Sequence, residues 1–537
     1  VPPEPVDHLR AQLRDRGYLT HGIERWFALD PWRSRTFWLE LTIVAAKAAA
    51  LIAAFAALPA VAIMLSRNHP LSAVETLLMT LMYGAASFAA ALVFITLVAL
   101  VLKIRPELAV DTPRALLAIS LGASAVICAP VAIWWYRFDV PPSIGELAMG
   151  VALIATLFLI STVVVSAALL TFSVYELQRV PAIHQRSRTT PMAIAAALLI
   201  ALLFLPAYAA QEKRAPEPPV QVVTTPTNRR IALVAVDGLT WEIFHSRPAL
   251  VNAFASTARA ASIAGQSATD RWASAGTGVP PRVHGVHSIE GIRFRGGAHV
   301  LQSLSRDDFV LHDVAPALAL AGREPLPPTV RRRDYIWEIL AARGIPSVSV
   351  NWWTTEDVRN GALHEIGQES IFGAARGDAV KVDREAAKRL LAAVDAESPS
   401  FATVYLPALD VVLNRLPLDE SARLAASFQA LDGVVATVAA LEHRGYAVHL
   451  LGMPGDRQRG NAVIASPAST APAQPFDVAP TLLAALGFPA SNEMPGSVAG
   501  PAAPPRIATY GNRNASTRST KVDQDYYDNL KSLGYIR

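Results

Sequence analysis

Ile231-Ala232-Leu233-Val234-Ala235-Val236-Asp237-Gly238 is an unbroken apolar run closed by a carboxylate and a glycine. Six apolar residues without alternation predict a strand buried on both faces, as parallel sheets require. In open α/β sheets ligands bind at the carboxyl ends of strands, so Asp237 stands where chemistry is expected. The pattern continues downstream. Trp241–Phe254 and Tyr335–Arg343 read as helices, Ile345–Val350 as a buried strand, and Arg384–Val394 as a helix. Phe401–Leu406 reads as a strand, Ser421–His443 as a long helix, and Ala447–Leu451 as another strand. This alternation predicts an α/β domain over residues 230–537, with a mostly parallel central sheet covered by helices on both faces. Pro467–Pro475 and Pro495–Pro505 read as surface loops, and no internal repeat is found.

Upstream the composition changes. The 537 residues are 52 % hydrophobic and 17 % charged, with mean hydropathy +0.31. Soluble globular chains carry about 25 % charged residues. The deficit is local, because 16 of the 173 residues from Trp38 to Ala210 are charged against 76 of the other 364. That split excludes a single soluble enzyme, a disordered chain and a fibrous protein. Five apolar stretches are long enough for transmembrane helices: Leu41–Leu65, Thr76–Leu102, Ala115–Tyr136, Leu147–Tyr175 and Thr189–Ala210. Only the first holds a charge, Lys47, near enough to its start to snorkel.

Arg10, Arg14, Arg16, Arg25, Arg33, Arg35, Lys103, Arg105, Arg114, Arg179, Arg186 and Arg188 fall on one side of these spans. Only Arg67, Arg137, Lys213 and Arg214 fall on the other. The positive-inside rule then predicts an integral protein of the cytoplasmic membrane, with a cytoplasmic N-terminus and residues beyond Ala210 on the extracytoplasmic, periplasmic side. Residues 1–37 are expected to form a juxtamembrane arm lying on the inner surface. Residues 38–210 form the five-span region and 211–229 a Pro-rich tether. Arg186 and Arg188, Met192–Leu205 and Pro206–Ala209 also match a secretory signal, so an internal cleavage is an alternative to an uncut anchor. Trp134, Trp135 and Tyr136 are expected to form an interfacial aromatic belt. The chain begins at Val1 without an initiator Met, as a fragment or a processed start would. Its one cysteine, Cys128, lies in an apolar run and excludes a thiolate metal site. A formal charge of +4 is topological in origin and predicts no nucleic-acid partner.

Two carboxylates, Asp237 and Asp410, follow strands, and by themselves read either as metal ligands or as caps of the next turn. The wider motifs add to this. Ala235–Trp241 is followed by Trp272-Ala-Ser-Ala-Gly-Thr-Gly-Val-Pro-Pro-Arg-Val-His-Gly285, then by Ile336-Trp-Glu-Ile-Leu340 and Asn351-Trp-Trp-Thr-Thr355. Phe476-Asp-Val-Ala-Pro-Thr-Leu-Leu483, Leu486-Gly-Phe-Pro489, Met494-Pro-Gly496 and Leu530-Lys-Ser-Leu-Gly-Tyr-Ile536 come after. In this order the domain resembles the alkaline phosphatase superfamily, in its type I phosphodiesterase/nucleotide pyrophosphatase branch, with sulfatases as more distant relatives. The resemblance implies hydrolase chemistry on two metals, zinc or manganese, held by about six Asp/His ligands, with a Ser or Thr nucleophile.

The sequence departs from that pattern at several points. With Trp272 and Thr277-Gly278 in register, the nucleophile position falls on Ala268, and Ser267 and Thr269 flank it. The family's Asp-His-Gly falls on Met453-Pro454-Gly455, and its Asp-x-x-x-His on Asp410…Asn414. No His lies in Asp456–Gly460, where the last ligand belongs. Asp237, Asp410 and Asn414 are thus the residual metal-site candidates, and Thr269 the residual catalytic hydroxyl. Arg271, Arg457 and Arg459 lie beside these positions as candidate anion-binding groups. His284, His443 and His449 read as structural.

The expectation is a membrane-anchored pseudoenzyme with no cofactor, serving as a binding or scaffolding module at the cell envelope. Its expected partners are the lipid bilayer, and an envelope protein or a phosphate- or sulfate-ester ligand. The alternative is an active metal-dependent hydrolase or transferase of envelope phosphate or sulfate esters with a rebuilt site. A channel or transporter ranks last, since the spans lack paired charges near mid-membrane.

Overall fold

The computed structural model describes residues 37–67, 71–104, 113–136, 144–177, 222–254, 258–261, 268–302, 310–375, 377–455, 458–467, 472–500, 505–513 and 524–535, with Asp15 and Asp308 singly. The chain divides into two compact units. The first comprises Val1–Lys213 with the segments Phe294–His299 and Ser303–Gly322, and the second holds the remainder.

The first unit is helical: α1 (Phe37–Arg67), α2 (Ala73–Ile104), α3 (Pro113–Tyr136) and α4 (Ile144–Leu177). Ala73–Val101 in α2 and Gly150–Leu169 in α4 are long and apolar enough to cross a membrane, and Leu41–Ala57 and Leu117–Ile133 are shorter apolar stretches. Ala45, Ala48, Ala49, Ala91, Ala123 and Ala168 are buried where the helices meet, so small side chains bring the backbones close. α2 and α4 thus give the N-terminal region the length and composition of a membrane-embedded one. The fifth expected span, with its cleavage alternative, and all of the N-terminal arm except Asp15 and Phe37 lie outside the described residues, as do the side chains of Trp134, Trp135 and Tyr136. Within this unit Glu75, in the first turn of α2, accepts from the backbone N–H of His299 (2.8 Å) and meets its Nδ1 at 3.0 Å. Tyr83, two turns along, donates to Asp308 (2.5 Å).

The second unit is an α/β domain around an eight-stranded sheet. Its strands are β1 (Ile231–Asp237), β2 (Arg259–Ala261), β3 (Ser347–Val350), β4 (Val358–Asn360), β5 (Leu363–Ile366), β6 (Phe401–Leu406), β7 (Ala447–Met453) and β8 (Ala462–Ala465). The spatial order is β2-β8-β7-β1-β6-β3-β5-β4. The five strands from β7 to β5 are parallel, while β8 and β4 run antiparallel to their neighbours at the two sides. Every residue of β1, β3 and β6 is buried, so both faces of the central sheet are covered. The short strands β2, β4, β5 and β8 carry too few residues to show a period, and the sequence reading did not find them.

The helices that position the site are α5 (Ala268–Thr277), α6 (Ile336–Ala341), α7 (Ala379–Glu397) and α8 (Glu420–His443). Asp378 and Asp419 accept from the third residue onward and cap α7 and α8. Glu420–His443 also has the length and apolarity of a membrane span, yet here it joins β6 to β7 and packs on the sheet. The expected helix Trp241–Phe254 is two helices, Trp241–His245 and Pro248–Phe254. Pro248 has no N–H to continue the first and starts the second.

One buried ionic cluster braces the loop before α6. Arg331, fully buried, pairs through both terminal nitrogens with Glu338, and Arg513 donates to the same carboxylate (3.0 Å). Burial alone would raise Glu338, but Arg331 and Arg513 hold it down at about 2. Glu365, bonded by Trp337 Nε1 (2.6 Å), is pushed up to about 8 by burial and by the charge of Glu338. A carboxyl raised from 4.5 to about 8 keeps its proton in the folded chain where the unfolded chain has lost it. Folding stability therefore falls as pH rises through that window. Glu365→Gln removes the effect: its melting temperature relative to the wild type should rise between pH 5 and pH 8.5, read by thermal melts at a series of pH values.

Candidate functional site

The site lies at the carboxyl ends of β1 and β6. Asp237 is the last residue of β1 and pairs in register with Met453, the last residue of β7. Gly238 follows at φ +84°, and a Cβ there would lie 2.5 Å from the backbone nitrogen of Asp410. Only glycine lets the two strand ends come this close. Asp237 accepts a hydrogen bond from the Tyr405 hydroxyl (2.7 Å), which descends from β6.

Beyond β6 the chain makes one helical turn, Ala408–Asp410, and then a π-helical turn, Val411–Arg415. The wider π spacing brings both the fourth and the fifth residue after Asp410 back onto it. Asn414 Nδ2 donates to Asp410 Oδ1 (2.8 Å), and Arg415 Nε donates to Asp410 Oδ2 (2.5 Å). Asp410 is fully buried and the Arg415 side chain is 8 % exposed. Burial works against the Arg415 charge, but Tyr535, Asp410 and Asp237 together raise its pKa above the usual arginine value. The guanidinium also lies 4.3 Å from the centre of the Tyr535 ring, a cation–π contact. Asp383 accepts from the backbone N–H of Ala408 (3.0 Å). Burial, and then the charge of Asp237, push its carboxyl well above the ordinary range. Arg415 thus supplies a fixed cation facing both sequence-predicted carboxylates.

Met453-Pro454-Gly455 closes the other side. Gly238 donates its N–H to the Met453 carbonyl (2.7 Å), and Arg271 Nη2 donates to the Pro454 carbonyl (2.8 Å). A Cβ on Gly455 would stand 1.6 Å from Asp410 Oδ1, so bare backbone fills the space over that oxygen. These donors do not fit a pair of zinc ions. Both oxygens of Asp410 are engaged, Asn414 presents its NH₂ group, and Pro454 has no side-chain donor. Among the described residues no three of His, Cys, Asp and Glu are grouped to hold a metal.

The structure brings Asp237, Asp410, Asn414 and Arg271 to one end of the sheet. Asp456 and Arg457 lie outside the described residues. Ala268 and Thr269 open α5 and are buried, and the Thr269 hydroxyl has no hydrogen-bond partner among the described residues. Ser274 and His284 Nε2 stand 3.0 Å apart, as in a nucleophile–base pair. Val286 N–H, however, donates to His284 Nδ1 (3.1 Å), so the ring proton sits on Nε2 and points at the serine. That imidazole takes no proton from Ser274, and burial, with the charges of His287 and Arg331, holds its pKa well down. Burial also brings His449 down to about 4, as a structural histidine in β7.

Arg415, Tyr405, Asp383 and Tyr535 were missed by the sequence reading. Arg415 stands directly after Asn414, and a cation adjoining a lost ligand was the available signal. Tyr405, Asp383 and Tyr535 reach the site only through tertiary packing.

Residues 231–452 match the family model for type I phosphodiesterase/nucleotide pyrophosphatase, so the α/β unit carries a domain of this type, in the alkaline phosphatase superfamily. Similar solved structures include phosphonoacetate hydrolase from Sinorhizobium meliloti 1021 in complex with phosphonoformate. It is 13 % identical with a TM-score of 0.29, and the match covers 44 % of this chain and 60 % of that one. Murine ectonucleotide pyrophosphatase/phosphodiesterase 5, in an inactive form with AMP, is 12 % identical with a TM-score of 0.28, covering 42 % and 56 %. The chain thus spans less than two thirds of either. A comparison with curated proteins gives no match.

Removing the cation alone leaves Asp410 buried and uncompensated. Arg415→Met should cost about 3–5 kcal/mol. Arg415→Met combined with Asp410→Asn should recover most of it, as read by chemical denaturation of both variants.

Proposed function

We propose that this chain is a membrane-anchored, catalytically silent phosphodiesterase-like protein, whose extracytoplasmic α/β domain serves as a binding or scaffolding module at the cell envelope. The observation that carries the reading is the Asp410–Arg415 pair under the backbone of Gly455. In the active family metals neutralise the strand-end carboxylates and stabilise charge on the phosphoryl group. Here a tethered guanidinium does the first task while its Nε is committed to Asp410. Ala268 at the nucleophile position offers only a methyl group.

The topology has its own support. His299 bonds to Glu75 in the first turn of α2, and Asp308 to Tyr83 two turns further along. On the five-span reading, α2, α3 and α4 leave the chain on the opposite face, and bringing 294–299 back to the start of α2 takes one more crossing. Thr189–Ala210 has the composition to supply it. Together with the basic loops this supports an extracytoplasmic placement of the domain.

One observation favours the second reading, an active hydrolase or transferase of phosphate or sulfate esters with a rebuilt site. Thr269 carries a hydroxyl with no partner among the described residues at the start of α5, one residue from the nucleophile position. Elemental mass spectrometry of the purified full chain in detergent, after dialysis against trace zinc and manganese, separates the two. The proposal expects near-zero metal and no phosphodiester hydrolysis. Close to two metals per chain, with turnover that Thr269→Val abolishes, would establish the second.

A further inference from the structure

Every exposed residue of α2 from Val74 to Val101 is apolar, Leu77, Leu81, Val93 and Leu97 among them. At 1.5 Å per residue this face is about 40 Å long, the thickness of a bilayer with its headgroup regions. Lipid contact on α2 thus starts near Val74, in its first turn. Segments from much later in the chain, 294–299 and 303–322, belong to the same compact unit as α2. Glu75 holds His299 through its backbone N–H (2.8 Å), and a Cβ on Gly297 would stand 2.7 Å from the Glu75 carboxylate. Two residues earlier, Arg295 donates its N–H to the Leu320 carbonyl (2.9 Å). This chain of contacts keeps Leu320 close to the first turn of α2.

The segment that carries Leu320 has a defined shape. Asp308, bonded by Tyr83, precedes a π-helical turn, Val310–Val314, and a helical turn, Ala315–Ala317. The N–H of Ala319 bonds the Pro316 carbonyl (2.9 Å) and that of Leu320 the Ala315 carbonyl (3.0 Å), with Ala319 left-handed at φ +54°. This is a Schellman ending, whose left-handed position is usually Gly or Asn. Turns facing water are built largely from Gly, Pro, Asn, Asp and Ser. Here Ala317, Leu318, Ala319 and Leu320 are four consecutive exposed apolar residues, with Leu318 62 % and Leu320 37 % exposed. No charged residue lies between Asp313 and Arg323. A run of exposed apolar residues of this length marks an interaction surface, and this one stands at the level where the lipid-facing side of α2 begins.

We infer that the turn Ala317–Leu320 inserts into the bilayer, with Leu318 and Leu320 entering the leaflet that surrounds the start of α2. The occupant of this surface is lipid because the turn continues the exposed apolar face of a membrane helix. The bonds from Glu75 and Tyr83 hold the segment against that helix, so the insertion needs no helix of its own. The inference rests on reading α2 as a membrane span, and it adds a membrane contact from a part of the chain that lies well beyond the spans.

Fluorescence of single-cysteine variants of the full chain tests it. The one native cysteine is removed by Cys128→Ala, and each variant carries a polarity-sensitive thiol label in phosphatidylcholine vesicles. Leu318→Cys, and Leu320→Cys as a second variant, should give blue-shifted emission that a nitroxide-bearing phospholipid quenches and aqueous iodide does not. Leu97→Cys, on the exposed face of α2, should behave in the same way, whereas Leu424→Cys, exposed on α8, should be quenched by iodide alone. Unshifted, iodide-quenched emission from the labels replacing Leu318 and Leu320 would overturn the inference. Blue-shifted emission that neither quencher reaches would also overturn it, since a second protein chain and not lipid would then cover the turn. The label replacing Leu97 separates the two failures. If it is lipid-quenched while those replacing Leu318 and Leu320 are iodide-quenched, this inference alone fails; if it too is iodide-quenched, the membrane reading of α2 fails with it.

Discussion

Two carboxylates carried on neighbouring strand ends of one sheet repel each other, and burial makes the repulsion costly. Something cationic has to stand with them. In this chain it is Arg415, delivered by the π-helical turn that starts at Asp410's own helix end. Much else follows from that contact. Gly238 and Gly455 are bare so that backbone can close around Asp410. Tyr405 takes the other carboxylate, and Tyr535 near the end of the chain stacks on the guanidinium. A guanidinium on a short tether differs from an ion in one respect that matters for chemistry. It has no open coordination position to offer a substrate or a water.

The centre and the cavity beside Thr269 are chemically unlike. The first is closed around Asp410, both of whose oxygens are bonded. The second is lined by Thr269, Glu356 and Glu369 together with left-handed Thr354, and left-handed Asn351 stands at the start of the same loop. Strain of this kind persists only where surrounding contacts over-determine it. Here Asn351 Nδ2 bonds the Tyr405 carbonyl (2.8 Å) and the Tyr335 hydroxyl bonds the Trp353 carbonyl (2.8 Å). Tyr405 therefore holds Asp237 through its hydroxyl and the loop after β3, at Asn351, through its carbonyl.

The architecture was largely legible from the sequence. Continuous apolar runs such as Ile231–Val236 and Phe401–Leu406 announce strands buried on both faces, because a half-exposed strand would alternate. The apolar stretches of α2 and α4 were equally plain in the sequence, from their length and low charge. Glu420–His443 marks where that signal misleads: an internal helix packed on a sheet is as apolar as one in lipid. The short outer strands left no period to read, and the break before Pro248 was available in the sequence but passed over.

For the site, residue identity determined what was lost. A methyl at Ala268, a pyrrolidine at Pro454 and an amide at Asn414 exclude a nucleophile and strong ligands at those positions whatever the fold does. What stands in their place was decided only in three dimensions. Arg415 becomes the neutralising cation because a π-helical turn, and not an α-helical one, carries the fifth residue back onto Asp410. Glu365 holds a proton because distant Glu338 and deep burial act together on it. Side-chain chemistry is written residue by residue, whereas charge balance depends on which groups burial brings within a few ångströms, and that distance belongs to the tertiary structure.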